Sequence, residues 1–343
     1  MHKKKHKILR SKITQNKLTF NHKIMTYKLF LLLFIATFFI GCNDSDTAAP
    51  ITNETVIKVD ATKFLSGGLA EPITIVSKTL STGATVDCYK IVTKSTPPDH
   101  TMGPWCPSNI ADDATKGGIW LEGGNVYDVD GAFIKNLATF YKNTTWQMYN
   151  TSTGAITKTL TQADCQAAAN PNVGAEYKNY CVECLPSYVS SLTKTIYIPV
   201  TPVKLTSPVS FGAGPMAAGP STRGIAFNGV VFDAPAPVSA ILGAYTLAPF
   251  DDAGGHINIG AGYHYHAATG KTTKIAQADG HAAMIGYALD GFAMYETLSA
   301  TGKEDTDLDA SRGHYDATRG YHYHVAKAGT NSFINSLAGA YVK

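Results

Sequence analysis

Charge is scarce in this sequence. Charged residues make up 16% of the 343 residues, and nine of the 29 basic residues lie in residues 1–41, which contain no acidic residue. Downstream of that segment 20 basic residues (29 less 9) face 26 acidic ones, a net charge of −6. No basic stripe with interleaved aromatic residues is present, so the electrostatic signature of a nucleic-acid-binding protein is missing.

Recognisable catalytic motifs are also missing. We find no helix bearing a metalloprotease histidine pair, no nucleophile elbow and no paired acids of clear spacing. The sequence therefore does not indicate a particular reaction.

Long apolar runs are few. The longest, within residues 29–42, has about 14 apolar residues, whereas a membrane-spanning helix needs roughly 20. A basic segment followed by such a short run is typical of a signal peptide, which we assign to residues 1–41. If translation starts at Met25, residues 1–24 are a mis-assigned extension.

The residues around Cys42 extend this interpretation. Gly41 directly before Cys42 is similar to the lipobox of bacterial lipoproteins, in which the cysteine is lipidated after cleavage. Residues 42–55 are rich in small and polar residues and predict a flexible tether. We expect an exported bacterial lipoprotein in the cell envelope, on the periplasmic side or the cell surface, whose partner is the membrane. The sequence indicates no nucleic acid as a partner and leaves protein partners unknown.

Helical periodicity is scarce in the remaining chain, which contains most of the 31 glycines and 18 tyrosines. Short β-favouring segments alternate with turn residues, which predicts a single, mostly β domain over residues 56–343, either a sandwich or an irregular barrel. Only Ala132–Lys142 and Gln162–Ala169 have helical patterns, and we predict two short packing helices there.

Five cysteines follow Cys42. Because disulfides persist in exported proteins, we expect at most two bridges and one free thiol among them. Cys88 with Cys106 is the natural local pair, and the second bridge would join Cys165 to Cys181 or to Cys184. The Cys181-x-x-Cys184 spacing lacks the second pair that a four-cysteine zinc site requires.

One segment of the sequence is duplicated. Residues 250–267 and 308–325 match at a constant offset of 58. In each copy a Gly-His pair precedes a Gly-Tyr-His-Tyr-His run, and the first histidine of the run lies eight residues after the lone histidine. A match of this length at a fixed offset indicates a duplicated functional unit. The two copies contain the following histidines: His256, His264 and His266 in the first, and His314, His322 and His324 in the second.

The spacing of these histidines favours metal binding. Alternate residues of a strand point to one face, so the two histidines of each run lie side by side, and a hairpin or returning loop would add the lone upstream histidine. Three imidazoles can bind copper or zinc. Structural hydrogen bonding is the alternative. The duplication leaves open two independent sites or one shared site.

Other residues are candidates for addition to these sites. Asp251 and Asp309 are candidates for orienting the rings as acceptors. Further candidates are the remaining histidines and two motif tyrosines: His100, His281, Tyr263 and Tyr321.

The motif resembles that of the YHYH-domain proteins. It stands at Tyr263–His266 and again at Tyr321–His324, and similar blocks include Pro97–His100, Gly224–Phe232 and Ile285–Phe292. The resemblance covers roughly residues 85–326, and all eight histidines after Cys42 fall in or beside its blocks. It implies an exported YHYH-type domain and identifies no substrate.

Three functions fit these observations. The leading one is a membrane-tethered, extracytoplasmic domain that stores, delivers or senses copper or zinc through the duplicated histidines. The second is a metal-dependent hydrolase or oxidase with an open coordination position. The third is a non-catalytic adhesion or glycan-binding module using exposed aromatic residues, although tryptophans of a β domain usually lie in its core.

Overall fold

The computed structural model describes residues 55–169, 172–211 and 219–343. The expected signal peptide, the lipidation site Cys42 and the tether up to residue 54 lie outside the described residues. Among the residues that are described, no helix combines the length and apolar character that crossing a bilayer requires.

Short strands make up most of the regular structure. The strands, in chain order, are β1 (Thr74–Thr79), β2 (Thr85–Lys94), β3 (Ile119–Glu122), β4 (Asn125–Asp128), β5 (Thr193–Pro199), β6 (Lys204–Ser210), β7 (Gly224–Ala226), β8 (Val231–Phe232), β9 (Gly255–Asn258), β10 (Gly262–Tyr265), β11 (Met284–Ala288), β12 (Ala293–Tyr295), β13 (Gly313–Asp316), β14 (Gly320–His324) and β15 (Ser336–Gly339). The helices are α1 (Gly131–Phe140), α2 (Gln162–Ala168) and α3 (Val238–Gly243).

Both predicted helices are confirmed, and their ends lie within two residues of the predicted ones. At α1 the Asp130 side chain accepts from the Phe133 amide, which satisfies one of the free N–H groups of the first turn. At α2, Thr161 and Asp164 form a capping box, with both reciprocal hydrogen bonds present. The short helix α3 was not predicted.

The fold is mostly β, and its sheets are open. A three-stranded sheet has the order β1-β2-β5, two-stranded sheets pair β3 with β4 and β6 with β15, and the largest sheet has the order β13-β14-β12-β11-β7-β8-β10-β9. None of these sheets closes on itself, so the barrel alternative does not apply to the described residues.

The eight-stranded sheet has two similar halves. In one half the β7–β8 hairpin meets the β9–β10 hairpin through parallel pairing of β8 with β10. In the other, β11–β12 meets β13–β14 through parallel pairing of β12 with β14. The halves join where β7 runs antiparallel to β11, with Ile225 opposite Tyr287. The sheet therefore has a pseudo-twofold axis at that residue pair.

Two glycines at this axis explain the close joining of the halves. A Cβ at Gly224 would lie 2.4 Å from the Tyr287 carbonyl oxygen, and one at Gly286 would lie 2.1 Å from the Ile225 carbonyl oxygen. Both distances are shorter than any ordinary contact. The flanking sequences, Gly224-Ile-Ala-Phe-Asn-Gly229 and Gly286-Tyr-Ala-Leu-Asp-Gly291, repeat at an offset of 62. The duplicated unit is thus a pair of hairpins, larger than the repeat recognised from the histidines.

The motif tyrosines form part of the main core. Tyr265 and Tyr323 are fully buried in a cluster that also contains Phe232 and Phe333. A second cluster surrounds Trp120 and lies against α1 and the loops that precede β9. The tyrosines of the runs therefore anchor the β10 and β14 strands in the core and fix the position of the histidines between them.

The disulfide prediction was partly wrong. The bridges are Cys106–Cys181 and Cys165–Cys184, and Cys88 is a buried free thiol. Cys88 cannot reach Cys106 because it lies on β2 and packs with Leu80 in a small cluster, whereas Cys106 belongs to the cluster around Trp120. Nearness in sequence was a poor guide because the two residues enter different parts of the core.

Candidate metal centre

Three histidines meet on the β9–β10 hairpin. His264 lies directly opposite His256, and His266 follows at the end of β10. The Nε2 atoms of His256 and His266 are 3.1 Å apart. One ligand atom from each of the three rings lies within 4.8 Å of the others. These three residues, the first cluster, are close enough to hold one ion.

Four histidines meet on and beside the β13–β14 hairpin. His314 lies opposite His322, with their Nε2 atoms 2.9 Å apart. His281, from the loop before β11, places its Nε2 3.1 Å from that of His322. His324 completes a group whose ligand atoms all lie within 4.8 Å of one another. These four residues are the second cluster.

The clusters lie near opposite edges of the eight-stranded sheet. The strands β10 and β14 are separated by β8, β7, β11 and β12. Five strand spacings of about 4.8 Å place the two runs roughly 24 Å apart across the sheet. A single site shared by both copies is therefore ruled out by the topology.

Acceptor groups fix the tautomer of most of these rings. A carbonyl oxygen only accepts, so the ring nitrogen that faces it must carry the proton. Nδ1 faces a carbonyl oxygen in five rings, His264 to Gly262 (2.9 Å), His266 to Ala234 (2.6 Å), His281 to Ala282 (3.1 Å), His322 to Gly320 (2.9 Å) and His324 to Glu296 (3.1 Å). In these rings, when neutral, Nε2 carries the lone pair.

The remaining two rings have comparable partners. The Nδ1 of His314 lies 2.9 Å from an Asp307 carboxylate oxygen. His256 has a backbone hydrogen bond with Ala248. The lone pairs at Nε2 therefore face one another within each cluster, and no described donor stands between them.

Burial favours the neutral form of most of these imidazoles. It lowers the pKa of His256, His264 and His266, and neighbouring histidines lower the pKa of His256 and His266 further. In the second cluster burial brings the pKa of His322 to about 3 and that of His324 to about 4. A hydrogen bond between two facing Nε2 atoms would need a second proton on one of the two rings. The lowered pKa values disfavour that proton.

One ring nitrogen is left without a hydrogen bond. The buried Nε2 of His324 has no hydrogen-bond partner, although an Asp305 carboxylate oxygen lies 3.2 Å away. The Asp305 carboxylate therefore places a negative charge near the His324 ring without forming a hydrogen bond to it. Asp305 and Asp307 were not predicted from the sequence. Their place a few residues before the second copy, in Glu304-Asp305-Thr306-Asp307, was the only available signal.

The donor set matches a transition-metal ion. Imidazole nitrogens suit zinc, copper, iron and nickel, and ring N–H groups held by carbonyls are the usual outer support of metal-bound histidines. The second cluster offers four imidazole nitrogens, the number of ligands in a closed zinc site, and the first offers three, the number of protein ligands in zinc sites that keep an open position.

Asp251 and Asp309 do not contact the histidine rings. Both oxygens of Asp251 accept from the Tyr263 hydroxyl, at 2.9 and 2.8 Å, and Asp309 accepts from the Tyr321 hydroxyl at 2.7 Å. The reason is the strand alternation itself, which sends the tyrosines to the face opposite the histidines. The two aspartates therefore hold the tyrosine face of each hairpin.

The two additional histidine candidates, His281 and His100, lie in different places. His281 joins the second cluster, whereas His100 belongs to neither cluster. The His100 ring lies between Asp99, 2.8 Å from Nδ1, and the Tyr263 hydroxyl, 3.2 Å from Nε2. Burial raises the pKa of Asp99, but hydrogen bonds from His100, Thr273 and Asn228 outweigh it and bring that pKa well below its usual range. His100 is part of a hydrogen-bonded network behind the first hairpin.

Comparison with known proteins supports the interpretation of the motif. The family model described as YHYH protein matches residues 195–308, a segment that includes the first Tyr-His-Tyr-His run and His281 and ends where the second copy begins. No curated protein and no solved structure matches the chain. The resemblance to the YHYH-domain proteins is confirmed for this segment, and the chain carries a YHYH domain that contains the first histidine cluster.

Proposed function

We propose that this protein binds two transition-metal ions, copper or zinc, one in each histidine cluster. The observation that carries the proposal is the convergence of Nε2 lone pairs at 2.9 to 3.1 Å with no donor among them. Facing lone pairs at this distance repel, and a shared cation converts the repulsion into coordination.

Structural hydrogen bonding explains these contacts less well. A hydrogen bond between two Nε2 atoms needs one ring protonated on both nitrogens, and such a charged ring would be buried, at a cost of several kcal/mol unless it is paired. His322 and His324 have 0% exposure. In the second cluster a bound cation would have the Asp305 and Asp307 carboxylates as nearby counter-charges.

The biological setting that fits best is the cell envelope. Two disulfides in the described part of the chain favour an oxidising compartment. With a lipid on Cys42 and a tether up to residue 55, the domain would store, deliver or sense metal at a membrane surface. An adhesive role through sugar stacking has little support, because Trp105, Trp120 and Trp146 are at most 5% exposed.

Elemental analysis of cluster variants tests the proposal. We expect two metal ions per chain in the unmodified protein, one in His264→Ala/His266→Ala, one in His322→Ala/His324→Ala, and none when all four changes are combined. His100→Ala is the matched control, since it removes a partly buried histidine outside both clusters and should leave two ions.

Each variant should be checked for an intact fold before its metal is counted. Near-ultraviolet circular dichroism and protection of the Cys88 thiol from a thiol reagent serve this purpose, since Cys88 is a buried free cysteine that becomes reactive when the domain unfolds. Unchanged metal content in the folded double variants would refute the proposal.

A further inference from the structure

The two clusters differ in what surrounds them. A cavity of about 300 Å³ is lined by all three histidines of the first cluster. Two further cavities, of about 490 and 520 Å³, are lined by residues that include none of the second-cluster histidines. The first cluster therefore opens to a space in which a small molecule fits, since ligand sites begin at about 300 Å³.

The difference arises from the fourth histidine. His281 contacts the Nε2 of His322 at 3.1 Å, whereas His264, the counterpart of His322, lines the cavity. The offset of 62 that relates the two inner hairpins leads from His281 to Gly219, which has no side chain to coordinate a metal. Among the described residues the first cluster has three histidines. The duplication has thus produced one site with four imidazoles and one with three.

The cavity walls indicate what kind of molecule fits. They are mainly apolar, formed by residues such as Ala168, Val173, Ile241 and Pro249. Two carboxylates also line the cavity. Glu183 is paired with Lys158 at 2.7 Å, and Asp233 lies near enough for its charge to act on His264. A small and largely apolar molecule, with one oxygen or nitrogen donor directed at the histidines, matches this lining.

We propose that the ion in the first cluster keeps an open coordination position, and that this position binds a small exogenous ligand from the cavity. The ion in the second cluster is closed to such ligands by His281. This inference rests on the proposed metal binding and adds to it a division of roles, in which the first site exchanges a ligand and the second is structural.

Cobalt(II) reports the difference directly, because its visible spectrum changes when a ligand is added. The chain is loaded with two equivalents of cobalt and titrated first with azide and then with 1-methylimidazole. We expect either ligand to titrate one of the two cobalt ions. The variant His281→Ala/His314→Ala, which keeps the first cluster, should retain the full response, and His256→Ala/His266→Ala, which keeps the second, should show none.

Two single changes provide sharper controls. His281→Ala should open the second site, so that both cobalt ions respond to azide. Ala240→Phe, in the cavity wall, should leave the cobalt content unchanged and weaken 1-methylimidazole binding at least tenfold, with a smaller effect on azide.

The outcomes separate this inference from the proposed function. Failure to bind cobalt at either cluster would refute the metal proposal itself. Two bound cobalt ions with no response to azide or 1-methylimidazole, or with an equal response at both sites, would overturn the open position while leaving metal binding intact.

Discussion

A buried histidine in an ordinary protein core is satisfied at both ring nitrogens, because a buried polar atom without a partner is costly. In both clusters Nδ1 has a conventional acceptor, and Nε2 faces other Nε2 atoms instead. The His324 Nε2 is buried and has no hydrogen bond at all. At the residue scale, this asymmetry between the two nitrogens distinguishes a ligand set from a structural network.

Asp290 is a buried carboxyl at a position where the two halves of the sheet differ. It stands where the other half has Asn228, and each residue meets the corresponding motif tyrosine: Asn228 donates to the Tyr265 hydroxyl at 2.7 Å, and Tyr323 donates to Asp290 at 2.6 Å. Complete burial raises the pKa of Asp290 to about 6, partly offset by hydrogen bonds from Tyr323 and Gly339.

The sign of its effect on stability follows. A carboxyl whose pKa is higher in the folded than in the unfolded state binds its proton more tightly when folded, so stability falls as pH rises between the two values. A pKa raised by about 2 corresponds to a loss of about 3 kcal/mol between pH 4 and pH 7. In Asp290→Asn that loss should vanish, as measured by urea unfolding across this range.

Asp60 supplies the control for this prediction. Hydrogen bonds from Lys63 and Thr62 bring the pKa of Asp60 to about 2, so its contribution to stability is lost only below pH 4. Asp60→Asn should therefore run parallel to the unmodified protein from pH 4.5 to 7. If the stability curve of Asp290→Asn also runs parallel to that of the unmodified protein, the pKa of Asp290 is not raised in the folded state.

Only part of the site was predictable from the sequence at the level of single residues. The pairing of His264 and His266 on one face follows from strand alternation and was predictable. Asp251 contacts Tyr263, which the same alternation places on the other face, but Asp251 itself lies before β9, so strand alternation does not assign its side chain to a face. The contacts of His281 and Asp305 come from loops, whose paths depend on packing that no local pattern encodes.

At the scale of elements, the repeated hairpins depend on close contact at the pseudo-twofold axis. Gly286→Ala should destabilise the fold by several kcal/mol, because its Cβ would lie 2.1 Å from the backbone oxygen of Ile225 in a central strand pair. Gly243→Ala, at the end of α3, has open space around the added Cβ and should change stability by less than about 0.5 kcal/mol. Denaturant unfolding distinguishes the two.

If Gly286→Ala is as stable as Gly243→Ala, the strands β7 and β11 are not in contact as described. The two variants share the same chemical change, so the comparison isolates the close backbone approach from the general effect of replacing glycine.

The hairpins were also the part of the fold that the sequence predicted best. The glycine that opens each run, and the histidine eight residues upstream of the first histidine of the run, correspond to antiparallel pairing of His256 with His264 and of His314 with His322. The second repeat, Gly224–Gly229 and Gly286–Gly291, is present in the sequence but is shorter and less distinctive than the histidine repeat. The parallel contacts between hairpins carry no local signal, since they join strands distant in the chain.

The disulfides give a second prediction at this scale. The Cys106–Cys181 bridge spans 75 residues of sequence and ties the segment between β2 and β3 to the segment between α2 and β5. Replacing both cysteines by alanine should cost about 2 to 5 kcal/mol in unfolding free energy, by releasing that loop in the unfolded chain. Cys88→Ala, which removes a buried free thiol, is the comparison. An equal loss in the two variants would argue against the bridge.

At the scale of the whole molecule, metal binding should increase the free energy of unfolding. A ligand that binds only the folded state stabilises it by about 2.7 kcal/mol for each site at a free concentration 100 times the Kd. Thermal unfolding of the metal-free chain should therefore shift upward with added zinc. The shift should be smaller in variants that lack one cluster and absent when both are removed. A shift that survives loss of both clusters would place the stabilising metal elsewhere.

The separation of the clusters also makes their effects additive. With roughly 24 Å between the runs across the sheet, the losses from the two double variants should sum to that of the combined variant within about 0.5 kcal/mol. A large departure from additivity would indicate coupling through the shared sheet.

The most direct test is the anomalous scattering of crystals grown with zinc or copper, recorded at the absorption edge of the metal. The account predicts two peaks per chain, each about 2.0 to 2.1 Å from ring nitrogens, one among His256, His264 and His266 and one among His281, His314, His322 and His324. Crystals saturated with metal that show no peak at either cluster would contradict it.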